Sequence, residues 1–273
     1  MKSGKNNKQM NFNNKTIWIT GASSGIGKAL AIELSNQNAN LILSSRNLDK
    51  LQEVKALCSN LNKVQVLKLD LDDYTHINKT VQTAITLFDG IDILINNGGI
   101  SQRSLAIDTG ITVDERIFKT NYFGTIALTK AILPYFVAKK EGQFVVITSV
   151  VGKIGTPLRT SYAASKHALH GFFDSLRAEV HKDNIAITLI CPGFVKTNVS
   201  LNALTGDGSK QNTMDKATQN GLLPEYFAQK AVKAIANKKH EIVIGGKLEK
   251  LAVRVKRYFP KILAKMIRKL TVT

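Results

Sequence analysis

A chain of 273 residues is long enough to bury a large core, and an α/β unit of this length commonly remains one domain. Its formal net charge of +18 would ordinarily suggest nucleic acid or an anionic surface, but the excess gathers at the ends. Lys2, Lys5, Lys8 and Lys15 precede any acidic residue, and nine Lys and Arg beyond residue 246 face only Glu249. Cys58 and Cys191 are too few for a disulfide framework, no Cys/His spacing suits a metal, and no stretch reaches the ~18 apolar residues of a membrane span. A cytoplasmic protein without a metal site is expected.

Residues 1–14 are Asn- and Lys-rich, lack an apolar signal core and read as a flexible basic segment. Residues 16–20 then form a short β-branched apolar run, followed by a Gly/Ser turn and helical periodicity from Lys28 to Leu34. The order repeats, with strands predicted at 40–44, 64–69, 91–96, 143–149, 186–190 and 241–244. Helices are predicted between them at 48–60, 74–88, 113–139, 162–181 and 224–236. Several strands are continuous apolar runs, which implies burial on both faces. The expected fold is a Rossmann-type, doubly wound parallel sheet of about seven strands, with helices on both faces and a single domain over 15–246. Residues 201–221 break the periodicity and read as a mobile excursion over the substrate. Residues 247–273 read as a basic amphipathic tail, broken at Pro260.

Gly21, Gly25 and Gly27 are spaced G-x-x-x-G-x-G between the first strand and the first helix. Glycines there let the backbone approach a pyrophosphate, and the helix N-terminus offers free N–H groups. About twenty residues on, where a carboxylate would hold the ribose hydroxyl of NAD, the second strand instead ends in Ser45 and Arg46. A guanidinium fork suits a 2′-phosphate, so NADP(H) is the expected cofactor. Asp70 follows the third strand, placed either to reach an adenine amino group or to cap the next helix. The fourth strand ends in Asn96, Asn97, Gly98 and Gly99, whose glycines permit close passage of a ligand. Tyr162 and Lys166 are four residues apart in a helical segment and leave one face together. A phenol beside an ammonium can run general acid/base chemistry, the cation lowering the phenol's pKa. Such a pair is also a common packing arrangement, and it gains meaning only from the rest of the chain.

Together these pieces resemble the short-chain dehydrogenase/reductase superfamily from Lys15 to about Gly245, most closely its hydroxysteroid- and retinol-dehydrogenase-like branch. Thr20 to Gly27 matches the family's TGxxxGxG turn, Asn96 to Gly99 its NNAG with Gly98 in place of Ala, and Tyr162 with Lys166 its YxxxK. The resemblance implies a catalytic set of Asn121, Ser149, Tyr162 and Lys166. It also implies cofactor contacts from Ser23, Ser24, Ile26 and Leu71, and from Pro192, Gly193, Val195 and Thr197 beside the nicotinamide. In that scheme Tyr162 exchanges a proton with the substrate oxygen, Ser149 stabilises it, Lys166 holds the nicotinamide ribose, and Asn121 positions a water behind Lys166.

The expected function is therefore NADP(H)-dependent hydride transfer to or from a carbonyl or secondary alcohol of an apolar, lipid-like substrate. Two rivals are an NAD-dependent epimerase or dehydratase, disfavoured by Arg46 and by the short C-terminus, and a non-catalytic dinucleotide sensor, disfavoured by the intact catalytic set. His167 and His170 have no companion ligands, and basic residues are not interleaved with stacking aromatics, which argues against nucleic acid. By resemblance a homodimer or homotetramer is expected. For the tail, docking on the body, assembly and contact with an anionic membrane at its inner face are all open.

Overall fold

The computed structural model of the protein describes residues 12–268. Seven strands form one parallel sheet: β1 (Thr16–Thr20), β2 (Asn40–Ser45), β3 (Val64–Lys68), β4 (Ile93–Asn96), β5 (Gly142–Ile147), β6 (Ile185–Pro192) and β7 (Glu241–Ile244). The helices are α1 (Gly25–Ser35), α2 (Leu48–Ala56), α3 (Ile77–Thr86), α4 (Ile111–Phe118), α5 (Gly124–Lys139), α6 (Thr160–Glu179), α7 (Lys216–Gln219), α8 (Pro224–Ala236), α9 (Lys247–Tyr258) and α10 (Pro260–Ile267). The strand order is β3-β2-β1-β4-β5-β6-β7, so the chain reverses its direction of travel across the sheet between β1 and β4. Ligands of open α/β sheets bind at the carboxyl edge of that switch point.

Successive strand residues feed opposite faces, as a pleated sheet requires. Ile17, Ile19, Leu41 and Leu43 join the core shared with α1 and α8, where Leu30, Leu34, Phe227 and Ile235 are buried. Trp18, Ile42 and Leu94 join the opposite core under α5 and α6, with Ile132, Phe136, Leu169 and Phe173. The buried Trp18 indole is satisfied by the Ser44 hydroxyl at 2.8 Å. Burial on both faces is why these strands carry no apolar/polar alternation.

Three expectations change. The helix predicted over 113–139 is two helices joined by a π-turn, Lys119–Phe123, in which the Gly124 N–H bonds to the Lys119 carbonyl. Residues 201–221 are held by packing and hydrogen bonds: Ala203, Leu204, Asp215 and Thr218 are buried, and α7 lies within the segment. In the segment expected to be flexible, residues 1–11 lie outside the described residues, whereas Phe12 is buried in the α1-side core. Residues 269–273 of the predicted tail also lie outside the described residues.

Candidate active site

A cleft of about 750 Å³ opens at the carboxyl edge of β1, β2, β4, β5 and β6. The turn after β1 forms its floor. Gly21 and Gly25 have φ of +63° and +54°, a region that side chains rarely adopt. A Cβ on Gly21 would stand 2.8 Å from Gly98 Cα, so the glycines also let the loops after β1 and β4 touch. Thr20 binds the two loops together: its hydroxyl accepts the Asn97 and Gly98 N–H groups, both at 3.0 Å. Gly27 lies beneath the lining, where any Cβ would collide with the Gly21 carbonyl. The missing methyl at Gly98 has a packing counterpart, because a Cβ there would meet Leu71 Cδ1 at 2.7 Å.

Ser23, Ser24 and Ile26 line the cleft at the head of α1. Ser24 occupies the cap position without a side-chain cap bond, and the first turn carries no acidic residue. This helix end therefore presents N–H groups and a positive dipole end without a carboxylate of its own. At the end of the cleft beyond β2 and β3 lie Ser45, Arg46, Asp70 and Leu71, joined by Asn47 and Lys50, which the sequence reading missed. Lys50 lies in the first turn of α2, which begins two residues after Arg46, and no motif marked it. Arg46 is exposed, with Asp72 Oδ2 at 3.9 Å. The Ser45 hydroxyl is engaged with the backbone of Asn47. Asp70 caps a local turn, accepting the Asp72 N–H at 3.0 Å; it does not cap α3, which begins at Ile77.

Opposite, Ser149, Tyr162, Lys166, Pro192, Gly193, Val195 and Thr197 share the same cleft. Ser149 stands just beyond β5, which ends at Ile147 and not at Ser149 as predicted. Its hydroxyl accepts the Val151 N–H at 3.2 Å and is hydrogen-bonded to Tyr162. Lys166 is buried and its Nζ donates to the Ile147 carbonyl at 3.1 Å. Thr197 faces Gly25 across the cleft, and its hydroxyl accepts the Val199 N–H at 3.4 Å.

Asn121 and Asn96 do not line the cleft. The π-turn points the Asn121 amide at Ile100, whose N–H and carbonyl it bonds at 2.8 and 2.9 Å, and its Nδ2 also reaches Ser165 Oγ at 3.1 Å. A Cβ on Gly99 would come within 3.0 Å of Asn121 Oδ1 and 3.5 Å of Lys166 Nζ, so both side chains approach the backbone of that glycine. Asn96 is buried and donates to Thr129 Oγ1 at 3.1 Å, a support beneath the loop.

The electrostatics correct one expectation. Burial raises the Tyr162 phenol above its ordinary value, opposed by its hydrogen bond with Ser149 and by the charges of Arg103 and Arg159. Lys166, with Nζ 5.9 Å from the Tyr162 ring centroid, is not what lowers it; burial brings the ammonium itself down to about 8. The cations that pull on the phenol lie in loops after β4 and before α6, and no motif marked them. His170, expected to be packed or solvated, is buried, and desolvation pushes it down to about 4. Its ring lies 3.8 Å from the Cys191 sulfur.

A family model described as short chain dehydrogenase matches residues 15–207. Among curated proteins, the chain is 46% identical over 239 residues to a dehydrogenase/reductase SDR family protein 7-like of Anopheles gambiae, covering 85% of this chain and 75% of that one. It is 41% identical over 251 residues to dehydrogenase/reductase SDR family member 7B of Xenopus laevis, covering 89% and 78%. Among solved structures, a short chain dehydrogenase/reductase from Burkholderia phymatum in complex with NAD superposes with a TM-score of 0.80 at 20% identity, covering 92% of this chain and 95% of that one. At that identity the superposition speaks for the fold.

Proposed function

The chain belongs to the short-chain dehydrogenase/reductase family, and from that premise we propose that it is an NADP(H)-dependent oxidoreductase acting on a carbonyl or secondary alcohol of an apolar substrate. The observation that carries the reading is the convergence of Ser149, Tyr162 and Lys166 on the cleft floored by Gly21, Gly25 and Gly98. The fit to a dinucleotide is supported by the glycine cradle that a Cβ would fill and by the uncapped head of α1. Ser23, Ser24 and Ile26 would hold its pyrophosphate, Arg46 and Lys50 a 2′-phosphate, and Lys166 and Thr197 the nicotinamide half. When bound, the dinucleotide supplies the hydride donor or acceptor.

The chain's own residues handle the proton and the oxygen. In the direction of reduction, Tyr162 keeps its proton at neutral pH and can give it to the substrate oxygen. The Ser149 hydroxyl, beside it, donates a hydrogen bond that stabilises the same oxygen as charge develops. Asn121 holds the strand exit at Ile100 and contacts Ser165, one residue before Lys166, so its role here is support of the lysine's surroundings.

Oxidation of NADPH on a panel of ketones, aldehydes and 3-oxoacyl thioesters, followed at the nicotinamide absorbance, tests the reading. Tyr162→Phe is expected to abolish nearly all turnover while NADPH binding, read by fluorescence titration, persists. Near wild-type reduction by that variant would eliminate Tyr162 as the acid. Assembly as a homodimer or homotetramer belongs to the same reading, with molar mass in solution as its test. So does peripheral contact of α9 and α10 with an anionic membrane, supported by their exposed Leu248, Leu251 and Ile262, with Phe259 between the helices, among basic residues.

A further inference from the structure

Three segments remote in sequence meet at the first turn of α6. A helix leaves its first N–H groups without partners, and a Ser, Thr, Asp or Asn at the cap position usually supplies the acceptor. Here the cap position is Arg159, whose side chain makes no cap bond. The acceptor comes from Gln102, a fully buried residue after β4: its Oε1 accepts the Ser161 N–H at 2.9 Å and the Tyr162 N–H at 3.3 Å. Its Nε2 is held by the hydroxyls of Ser104, Thr109 and Thr160 at 3.2 to 3.3 Å.

The backbone carrying Gln102 is itself clamped. Arg103 places Nε and Nη2 on Asp215 Oδ2 at 2.8 and 2.6 Å, and Nη1 on the Ser101 hydroxyl and the Gln102 carbonyl at 2.8 and 2.6 Å. Asp215 also takes Nη2 of Arg159 at 3.4 Å and Nε2 of Gln211 at 3.0 Å. Two backbone bonds of 2.8 Å, Leu204 to Ser101 and Arg103 to Leu204, complete the join. All three charged groups are buried, so the clamp cannot open without leaving an unpaired charge inside the protein.

We propose that Gln102, fixed by the Arg103–Asp215 pair, is a positioning residue for Tyr162. It supplies the cap of the catalytic helix from another loop and sets the phenol and the 201–221 wall of the cleft as one unit. The inference rests on the oxidoreductase reading for the role of Tyr162, but the capping contact does not depend on it. A small displacement of a reacting group costs orders of magnitude in rate, so loss of the cap should appear in kcat.

Two full-length variants test this. Gln102→Met removes acceptor and donor at similar volume. Gln102→Glu keeps an acceptor for both N–H groups, and the Ser104 and Thr160 hydroxyls can rotate to donate to it, whereas the Thr109 hydroxyl donates to the Leu105 carbonyl at 2.7 Å. Gln102→Met should lower kcat roughly ten- to hundredfold with the carbonyl KM and the NADPH Kd within about twofold of wild type. Gln102→Glu should recover most of the loss. Amide exchange at Ser161 and Tyr162, read by mass spectrometry, should quicken in the Met variant and return in the Glu variant. Wild-type kcat in the Met variant, no recovery by Glu, or unchanged exchange overturns the proposal. If the wild type reduces no carbonyl on the panel, the oxidoreductase reading fails by itself and the exchange measurement still decides the capping. If the Met variant does not fold, Arg103→Lys decides: it keeps the charge but loses the fork, and should lower kcat at constant Kd. An unchanged kcat there refutes the clamp.

Discussion

Lys166 and Tyr162 titrate in directions that a cation beside a phenol would not suggest. The phenol is pushed up by burial, so Tyr162 remains a proton donor throughout the neutral range. Lys166 is the group that changes charge first, at about 8. Below that value the cleft holds a buried ammonium, and above it a neutral amine. The kcat/KM for NADPH, which reports the free enzyme, should therefore fall as pH rises through about 8. The stability sign is opposite: an unfolded lysine keeps its proton to about 10.5, so between about 8 and 10.5 the unfolded state binds more protons and this group adds stability as pH rises. A pH–rate profile run beside a thermal melt separates the two. A flat profile through pH 9, or a melting temperature that falls with the rate, would refute the assignment to Lys166. In the proposed NADP(H) reading, Arg46 in the same cleft carries the cofactor preference. Charge-assisted hydrogen bonds contribute about 1.5–3 kcal/mol, and at an exposed site the lower end applies. Arg46→Ala should thus reduce the preference for NADPH over NADH by roughly tenfold, with Lys50→Ala acting in the same direction to a smaller extent. Equal use of both dinucleotides by the wild type would remove the argument.

At the scale of elements, the π-turn between α4 and α5 turns a long helix into an anchor for the loop after β4. The extra residue in the turn points Asn121 at both polar groups of Ile100. Asn121→Ala leaves that N–H and carbonyl without partners, and each buried unsatisfied group costs about 1–3 kcal/mol. Ile100 is only half-buried, so the expected loss in urea unfolding is about 2 kcal/mol, with unchanged stability counting against the anchor. Neither the turn nor its contact was legible in the sequence, because the apolar period runs on through Ile117 and Leu128 and a single added residue barely disturbs it. By contrast β1, the Gly21–Gly27 turn and α1 were legible, since a short β-branched apolar run, glycine spacing and the onset of a 3.6-residue period are local signals. The ends of β5 and α2 were misplaced by two to four residues, as expected where a segment's last turn depends on what it packs against. Tyr162 and Lys166 were legible through their spacing and Ser149 only through the family resemblance, and their meeting in one cleft depended on the parallel order of β5 and β6. Gln102, Arg103, Arg159 and Asp215 were not legible. The partners that join them across segments lie 56 to 112 positions away, and no local pattern encodes such pairs.

On the whole molecule, α9 and α10 present two faces with different fates. Leu263 is buried against Val150 and Ile154, just beyond Ser149, with Ala252, Val253, Val255 and Ile267 packed around them. Glu249 reaches the Phe194 N–H at 3.4 Å beside the Pro192–Gly193 lining of the cleft. The tail is thus seated next to the candidate active site. Its outer face exposes Leu248, Leu251 and Tyr258 on α9, Phe259 at the break between the helices, and Ile262 and Met266 on α10. Lys247, Lys250, Arg254, Lys256, Arg257, Lys261, Lys265 and Arg268 surround that row, all exposed, and none forms an ion pair among the described residues. No helix among the described residues is long and apolar enough to cross a bilayer, so membrane contact through this face would lie in the interfacial plane. Each cation near an anionic leaflet contributes about 1 kcal/mol, and inserting a large apolar side chain contributes about 1.5–3 kcal/mol. The full chain should therefore sediment with vesicles containing phosphatidylserine and not with phosphatidylcholine alone. Raising the salt from about 0.1 to 1 M shortens the screening length from about 10 to 3 Å and should release it. Leu251→Asp and Ile262→Asp each replace an inserted apolar group with a charge of the wrong sign, and should weaken binding at least about tenfold. Their side chains lie on the face away from Leu263, so NADPH affinity should not change with them. Equal sedimentation with both vesicle types, or unaltered binding by the two variants, would leave the outer face as a solvated surface. Binding that depends on both charge and apolar residues would place the cleft mouth beside the bilayer, the phase from which an apolar substrate enters at the highest local concentration.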